Sequence, residues 1–150
     1  MNPDPDRVAQ VIRETAACEL VPKFITLTTA EIGEKSPGDF VTAVDLAMEE
    51  ALAKALVQLL PGSLVVGEEA VHDDRGVLAV LDGDAPVWVI DPLDGTGNYA
   101  QGLPIVAVIV ALVIKGETVA GWIYDPLSDR MAIAGKGAGA FMGSRRLQVA

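Results

Sequence analysis

Cysteine is nearly missing from this 150-residue chain: Cys18 stands alone, so no intramolecular disulfide can form and a reducing, cytoplasmic setting is expected. Cys18 falls in a helical pattern and is expected to be a small core residue, not a nucleophile. Cations are scarce as well. The 11 Lys and Arg face 21 Asp and Glu, a net charge of −10, which argues against a nucleic acid polymer or an anionic membrane as partner. Histidine occurs once, and His72, beside Asp73 and Asp74, is expected to be solvated and not a metal ligand. Long apolar runs are absent too. The longest, residues 103–114, is too short to span a bilayer and is broken by Pro104, so it reads as a buried strand. The amino terminus, MNPDPDRVAQ, lacks the basic and apolar regions of a secretion signal. No G-x-x-x-x-G-K-[ST] loop occurs, which removes a P-loop nucleotide site.

What is present is apolar and patterned. Half the residues are hydrophobic, enough for one well-formed core in a single domain. Val8, Val11, Ile12 and Thr15 recur at helical spacing after Asp4-Pro5, and Pro22 kinks or splits that helix. Pro37-Gly38 predicts a short hairpin between residues near Ile32 and Phe40. Val44, Met48, Ala51, Leu52, Ala55, Leu56 and Leu59 trace the apolar face of a second helix that Pro61-Gly62 ends. Residues 70–86 are poorly periodic and predict a surface connection with a helical turn around Val77 to Leu81. Strands are then expected near 105–114, 117–124, 130–134 and 139–142, joined by Lys115-Gly116, Asp125-Pro126 and Gly135-Lys136-Gly137 turns as an antiparallel meander. The expected fold class is α+β, a mostly antiparallel sheet packed against two long helices.

The chemistry concentrates in WVIDPLDGTGNYAQG, residues 88–102. An apolar strand from Val87 to Ile90 runs directly into Asp91 and Asp94, three positions apart. Pro92, lacking an amide hydrogen, should force a turn between them and aim both carboxylates at one point. Oxygen ligands of that kind suit Mg²⁺. The glycines at 95 and 97 let bare backbone approach an anion. A second apolar run, Leu64 to Val66, ends in Glu68 and Glu69, and two strands ending in carboxylates suggest one shared cation. A third acidic element, Asp39 to Asp45, opens the second helix, where Thr42 and Asp45 also fit a capping box. So many carboxylates in one cleft should raise one another's pKa values in the absence of cations.

Taken in order, GDFVTAVD at 38–45, GEE at 67–69 and WVIDPLDGTGNY at 88–99 resemble the inositol monophosphatase family of Mg²⁺-dependent, lithium-sensitive phosphomonoesterases. The likeness continues through VAGWIYDPLSDRMAIAGKGAGAF at 119–141. It covers only the family's first half. The Trp-Asp motif of the family's second domain, which adds one more metal-binding aspartate, is not found, since neither Trp88 nor Trp122 precedes an Asp. Tyr99 stands where Phe is commoner, and Gly143-Ser144 replaces the usual Asn-Gly; both changes look tolerable. The haloacid dehalogenase phosphatases also carry a DGT sequence after an apolar strand, but their aspartates are two apart, so no phosphoaspartate is expected.

The resemblance implies a six-stranded antiparallel sheet with two helices on it, forming an amino-terminal metal- and phosphate-binding domain over residues 1–150. It implies hydrolysis of a small phosphate monoester by metal-activated water. In that scheme Glu68, Asp91 and the Leu93 carbonyl hold one Mg²⁺, while Asp91 bridges to a second that Asp94 completes. Glu69 supports the ligands through water. Thr96, bonded to Asp45, acts on the attacking water with Glu68, and the Gly95 and Thr96 amides hold the phosphate. Lys35 can approach the site or remain a solvated hairpin lysine. The substrate is expected to be a sugar or polyol phosphate, with histidinol phosphate, fructose bisphosphate or a 3′-phosphonucleotide as alternatives. From a different class comes a catalytically incompetent half that needs a second domain, a homodimer mate or another chain. An exposed apolar surface is expected where the second domain would dock.

Overall fold

The computed structural model describes residues 2–149. Helix α1 (Pro5–Glu19) starts on Asp4, whose carboxylate accepts the Asp6 amide, with Pro5 in the first turn where its missing N–H costs nothing. It ends just before Pro22, and a short 3₁₀ turn follows at Val21–Lys23. Strands β1 (Ile32–Ser36) and β2 (Asp39–Thr42) form the expected hairpin as a separate two-stranded sheet. Helix α2 (Ala43–Leu59) buries Val44, Met48, Leu52 and Leu56.

The main sheet orders β3 (Leu64–Gly67), β4 (Val87–Asp94), β5 (Ala107–Ile114), β6 (Glu117–Asp125), β7 (Arg130–Gly135), β8 (Gly139–Met142) and β9 (Arg145–Leu147) side by side. It is therefore seven-stranded, not six. All pairs are antiparallel except β3 with β4, which run parallel. The connection between those two contains α3 (Glu68–Asp73) and a 3₁₀ segment at Arg75–Asp82, so residues 70–86 carry more structure than a surface connection. Parallel neighbours need such a crossover, which a tight hairpin cannot supply. The β5–β6 turn has positive φ at both Lys115 and Gly116, the backbone of a mirror-image hairpin turn. Gly143, with φ +59°, opens the β8–β9 turn as its position there demands.

Alternation along the strands sends Trp88, Ile90, Val108, Val110, Leu112, Trp122 and Tyr124 to one face, where α1 and α2 cover them. The Trp88 indole N–H donates to Ser63 Oγ and that of Trp122 to the Pro5 carbonyl, so neither buried indole lacks a partner. The opposite face of β4–β7 is apolar and open. Ile109, Ala111, Gly121, Ile123, Ala132 and Ala134 line a trough of ≈ 230 Å³ there, and Ile123 is 53% exposed. Two further expectations fail. Cys18 is exposed on α1, because it lies off the stripe formed by Val8, Ile12 and Ala16. Strand β5 begins only at Ala107, and Leu103 and Ile105 before it are exposed, since Pro104 keeps that segment out of the ladder.

Candidate active site

Parallel pairing sets Gly67 beside Ile90, so the carboxyl ends of β3 and β4 reach the same edge of the sheet. Glu68 and Asp91 follow immediately. Pro92 does not turn the chain. Instead Asp91 faces Ile109 and Asp94 faces Ala107, three residues of β4 advancing against two of β5, which is a bulge with Pro92 inside it. The extra residue re-aims Asp94 while β4 keeps its course. Gly95 then takes φ +87°, a conformation that would strain a side chain, and a Cβ there would lie 2.7 Å from the Ile105 carbonyl. Helix α4 (Thr96–Ala100) begins at once.

Glu68, Asp91, Leu93, Asp94, Gly95 and Thr96 all line one open, polar cleft of ≈ 200 Å³, with Asp39 and Phe40 of the β1–β2 hairpin on its other wall. Asp91 Oδ1 is buried and has no hydrogen-bond partner. Burial first, then the Glu68 and Asp94 carboxylates, push the Asp91 pKa up from 3.8 to about 7. A partnerless buried oxygen among carboxylates fits a hard cation, and oxygen is the donor such a cation takes. Among the described residues no three side chains are already closed around one point.

Asp45 and Glu69 stand behind the cleft, both buried. Asp45 serves two structures at once. Its Oδ2 accepts the Thr42 amide at 2.7 Å and the Thr42 hydroxyl at 2.5 Å, completing the capping box of α2, while Oδ1 accepts the Thr96 hydroxyl at 2.7 Å. Burial raises its pKa against the opposing pull of these donors. The Thr96 hydroxyl also lies 2.9 Å from the Leu93 carbonyl, yet it has one proton to give.

Lys35 is no solvated hairpin lysine. Its side chain is 5% exposed and donates to Glu68 Oε1 at 2.9 Å and Glu69 Oε1 at 3.0 Å. Burial alone would lower its pKa, but the two carboxylates more than offset this and raise it. Burial is also the main reason the Glu69 pKa rises, with Lys35 opposing. His72 is exposed, as expected. One participant is absent from the motif reading: Glu49, whose carboxylate accepts the amides of Glu69 and Ala70. Its signal was available, because Glu49 is four residues after Asp45 and so shares its side of α2.

Residues 6–150 match the model of the inositol monophosphatase family. The bovine (Bos taurus) protein named inositol monophosphatase 1 is 39% identical over 116 residues, 77% of this chain and 41% of that protein. The crystal structure of extragenic suppressor protein suhB from Bartonella henselae superposes with a TM-score of 0.82 at 30% identity, covering 97% of this chain and 54% of the other. SaIMPase-II with inositol monophosphate bound gives a TM-score of 0.70 at 25% identity, covering 97% and 48%. The chain thus spans about half the length of the curated relatives it matches. Among the described residues no helix is long and apolar enough to cross a membrane.

Proposed function

The chain belongs to the inositol monophosphatase family, and from that premise we propose that it supplies the metal- and phosphate-binding domain of a Mg²⁺-dependent, lithium-sensitive phosphomonoesterase acting on a small sugar or polyol phosphate. The observation that carries this reading is the partnerless, buried Asp91 Oδ1 set between Glu68 and Asp94. Such a cluster of like charges calls for a cation to bind.

Glu68, Asp91 and the Leu93 carbonyl would hold one Mg²⁺; Asp91 would also reach a second, beside Asp94, with Glu69 acting through water. Bound there, Mg²⁺ lowers the pKa of water and neutralises charge on the phosphoryl oxygens. The rest falls to the chain itself. With its proton held by Asp45 Oδ1, the Thr96 oxygen presents lone pairs that orient a water, and Glu68 takes that water's proton. Gly95, bare of a side chain, and Thr96 offer backbone N–H groups to the phosphate. Recognition of the alcohol part is left open by this half: SaIMPase-II is solved both with inositol monophosphate and with 2′AMP bound.

A second reading rests on the half-length match: a metal- and phosphate-binding half, inactive until another domain or chain completes it. The test is Mg²⁺-dependent phosphate release from a panel of monoesters, measured on this chain alone and on a longer form. Asp91→Asn should abolish release, whereas Asp73→Asn, on the exposed end of α3, should be silent. Equal behaviour of the two variants in a form whose wild type releases phosphate defeats the site assignment. Release by the longer form alone selects the second reading, and a trapped phosphoenzyme overturns attack by water.

A further inference from the structure

Glu68 lines the cleft with a side chain that is 41% exposed and paired with the Lys35 ammonium at 2.9 Å. Its placement depends on the backbone that carries it. That backbone starts a six-residue helix whose N-cap, Gly67, has no side chain to offer the first free amides. Glu49 of α2 does so from outside. Its Oε2 accepts the Glu69 amide at 2.8 Å and its Oε1 the Ala70 amide at 3.0 Å, two charge-assisted bonds to the residues directly after Glu68. On the other side of Glu68 the fit is equally close, because a Cβ on Gly67 would overlap the Glu49 carboxylate. Residues 67–70 thus wrap around one carboxylate that does not itself line the cleft.

We propose that Glu49 is a positioning residue for the cation site: it fixes the backbone on both sides of Glu68 and so sets the reach of that ligand toward Asp91. The inference rests on the reading that Glu68 holds the cation. It also explains why glycine stands at position 67, where φ is −104° and a side chain would otherwise be unstrained. A merely structural cap would stabilise α3 with no effect on affinity for metal. A positioning residue must change that affinity, as partners behind metal ligands do.

The experiment is Mg²⁺ binding by calorimetry, alongside thermal melting in EDTA, on wild type, Glu49→Ala, Glu49→Gln, Gly67→Ala, the Glu49→Ala/Gly67→Ala double variant and Glu68→Gln. Glu49→Ala and Gly67→Ala should each weaken Mg²⁺ binding by about 10–100-fold, since the new methyl at 67 expels the carboxylate from both amides. Glu49→Gln, which keeps one acceptor oxygen, should fall between these and wild type. The double variant should be no weaker than Glu49→Ala, because the overlap disappears with the carboxylate. If Glu68→Gln abolishes binding but the Glu49 variants bind as wild type with only a lowered melting temperature, the positioning role is overturned. Should Glu49→Ala fail to fold, Glu49→Gln and Gly67→Ala decide the matter by the same two readouts. Wild-type affinity in Glu68→Gln would instead overturn the cation reading beneath it.

Discussion

Replacing Asp91 by Asn should make the domain more stable in EDTA while removing its response to Mg²⁺. Asp91 Oδ1 has no partner, and the residue sits against Glu68 and Asp94. Its pKa rises from 3.8 to about 7, chiefly through burial. A change of that size corresponds to about 4 kcal/mol at full effect. Asp91 is only half-buried, so solvent screening reduces the expected gain to about 1–2 kcal/mol. For a chain of this length that is roughly 3–6 °C in melting temperature. The sign follows from linkage. A carboxyl whose folded pKa is raised leaves stability untouched below the unfolded value, and it costs progressively more as pH climbs to the folded value. The variant's advantage should therefore be absent near pH 4, grow through the interval up to about 7, and be complete at pH 8. Urea unfolding in EDTA at pH 4, 6 and 8 measures it. A variant less stable than wild type at pH 8, or a pH-independent difference, would refute the reasoning.

Lys35→Met should destabilise the domain in EDTA by about 2 kcal/mol, because it strands the buried Glu69 carboxylate, yet tighten Mg²⁺ binding by freeing Glu68 from the ammonium; an equal drop in melting temperature with and without Mg²⁺ contradicts this. Tyr99→Phe removes the 2.5 Å bond from the Tyr99 hydroxyl to the Leu20 carbonyl, which ties α4 to the end of α1. It should cost about 1–2 kcal/mol in urea unfolding and leave Mg²⁺ affinity unchanged, whereas a loss of affinity would mean that this tie also shapes the cleft.

Periodicity and punctuation determined much of this protein before any tertiary contact. The stripe from Val44 to Leu56, the breaks at Pro22 and Pro61-Gly62, and the meander from β5 to β8 are local signals, and each element lies where its pattern puts it, except that Pro104 delays the start of β5 to Ala107. So is the order of GEE and DPLDGT after apolar runs, since residue type and spacing alone state that carboxylates end two strands. Long-range pairing is another matter. Nothing local distinguishes a parallel from an antiparallel partner for β3, yet only parallel pairing brings Glu68 to the same sheet edge as Asp91. Pro92 could have turned the chain; a bulge let the strand continue because β5 was there to accept the extra residue. Asp45 could cap a helix or support Thr96, and the fold made it do both by giving each oxygen its own donor. Lys35 and Glu49 gained their places for the same reason. Sequence sets what each residue can donate, accept or bury, while which groups meet depends on chain paths tens of residues apart, and that geometry exists only once the sheet and helices have packed.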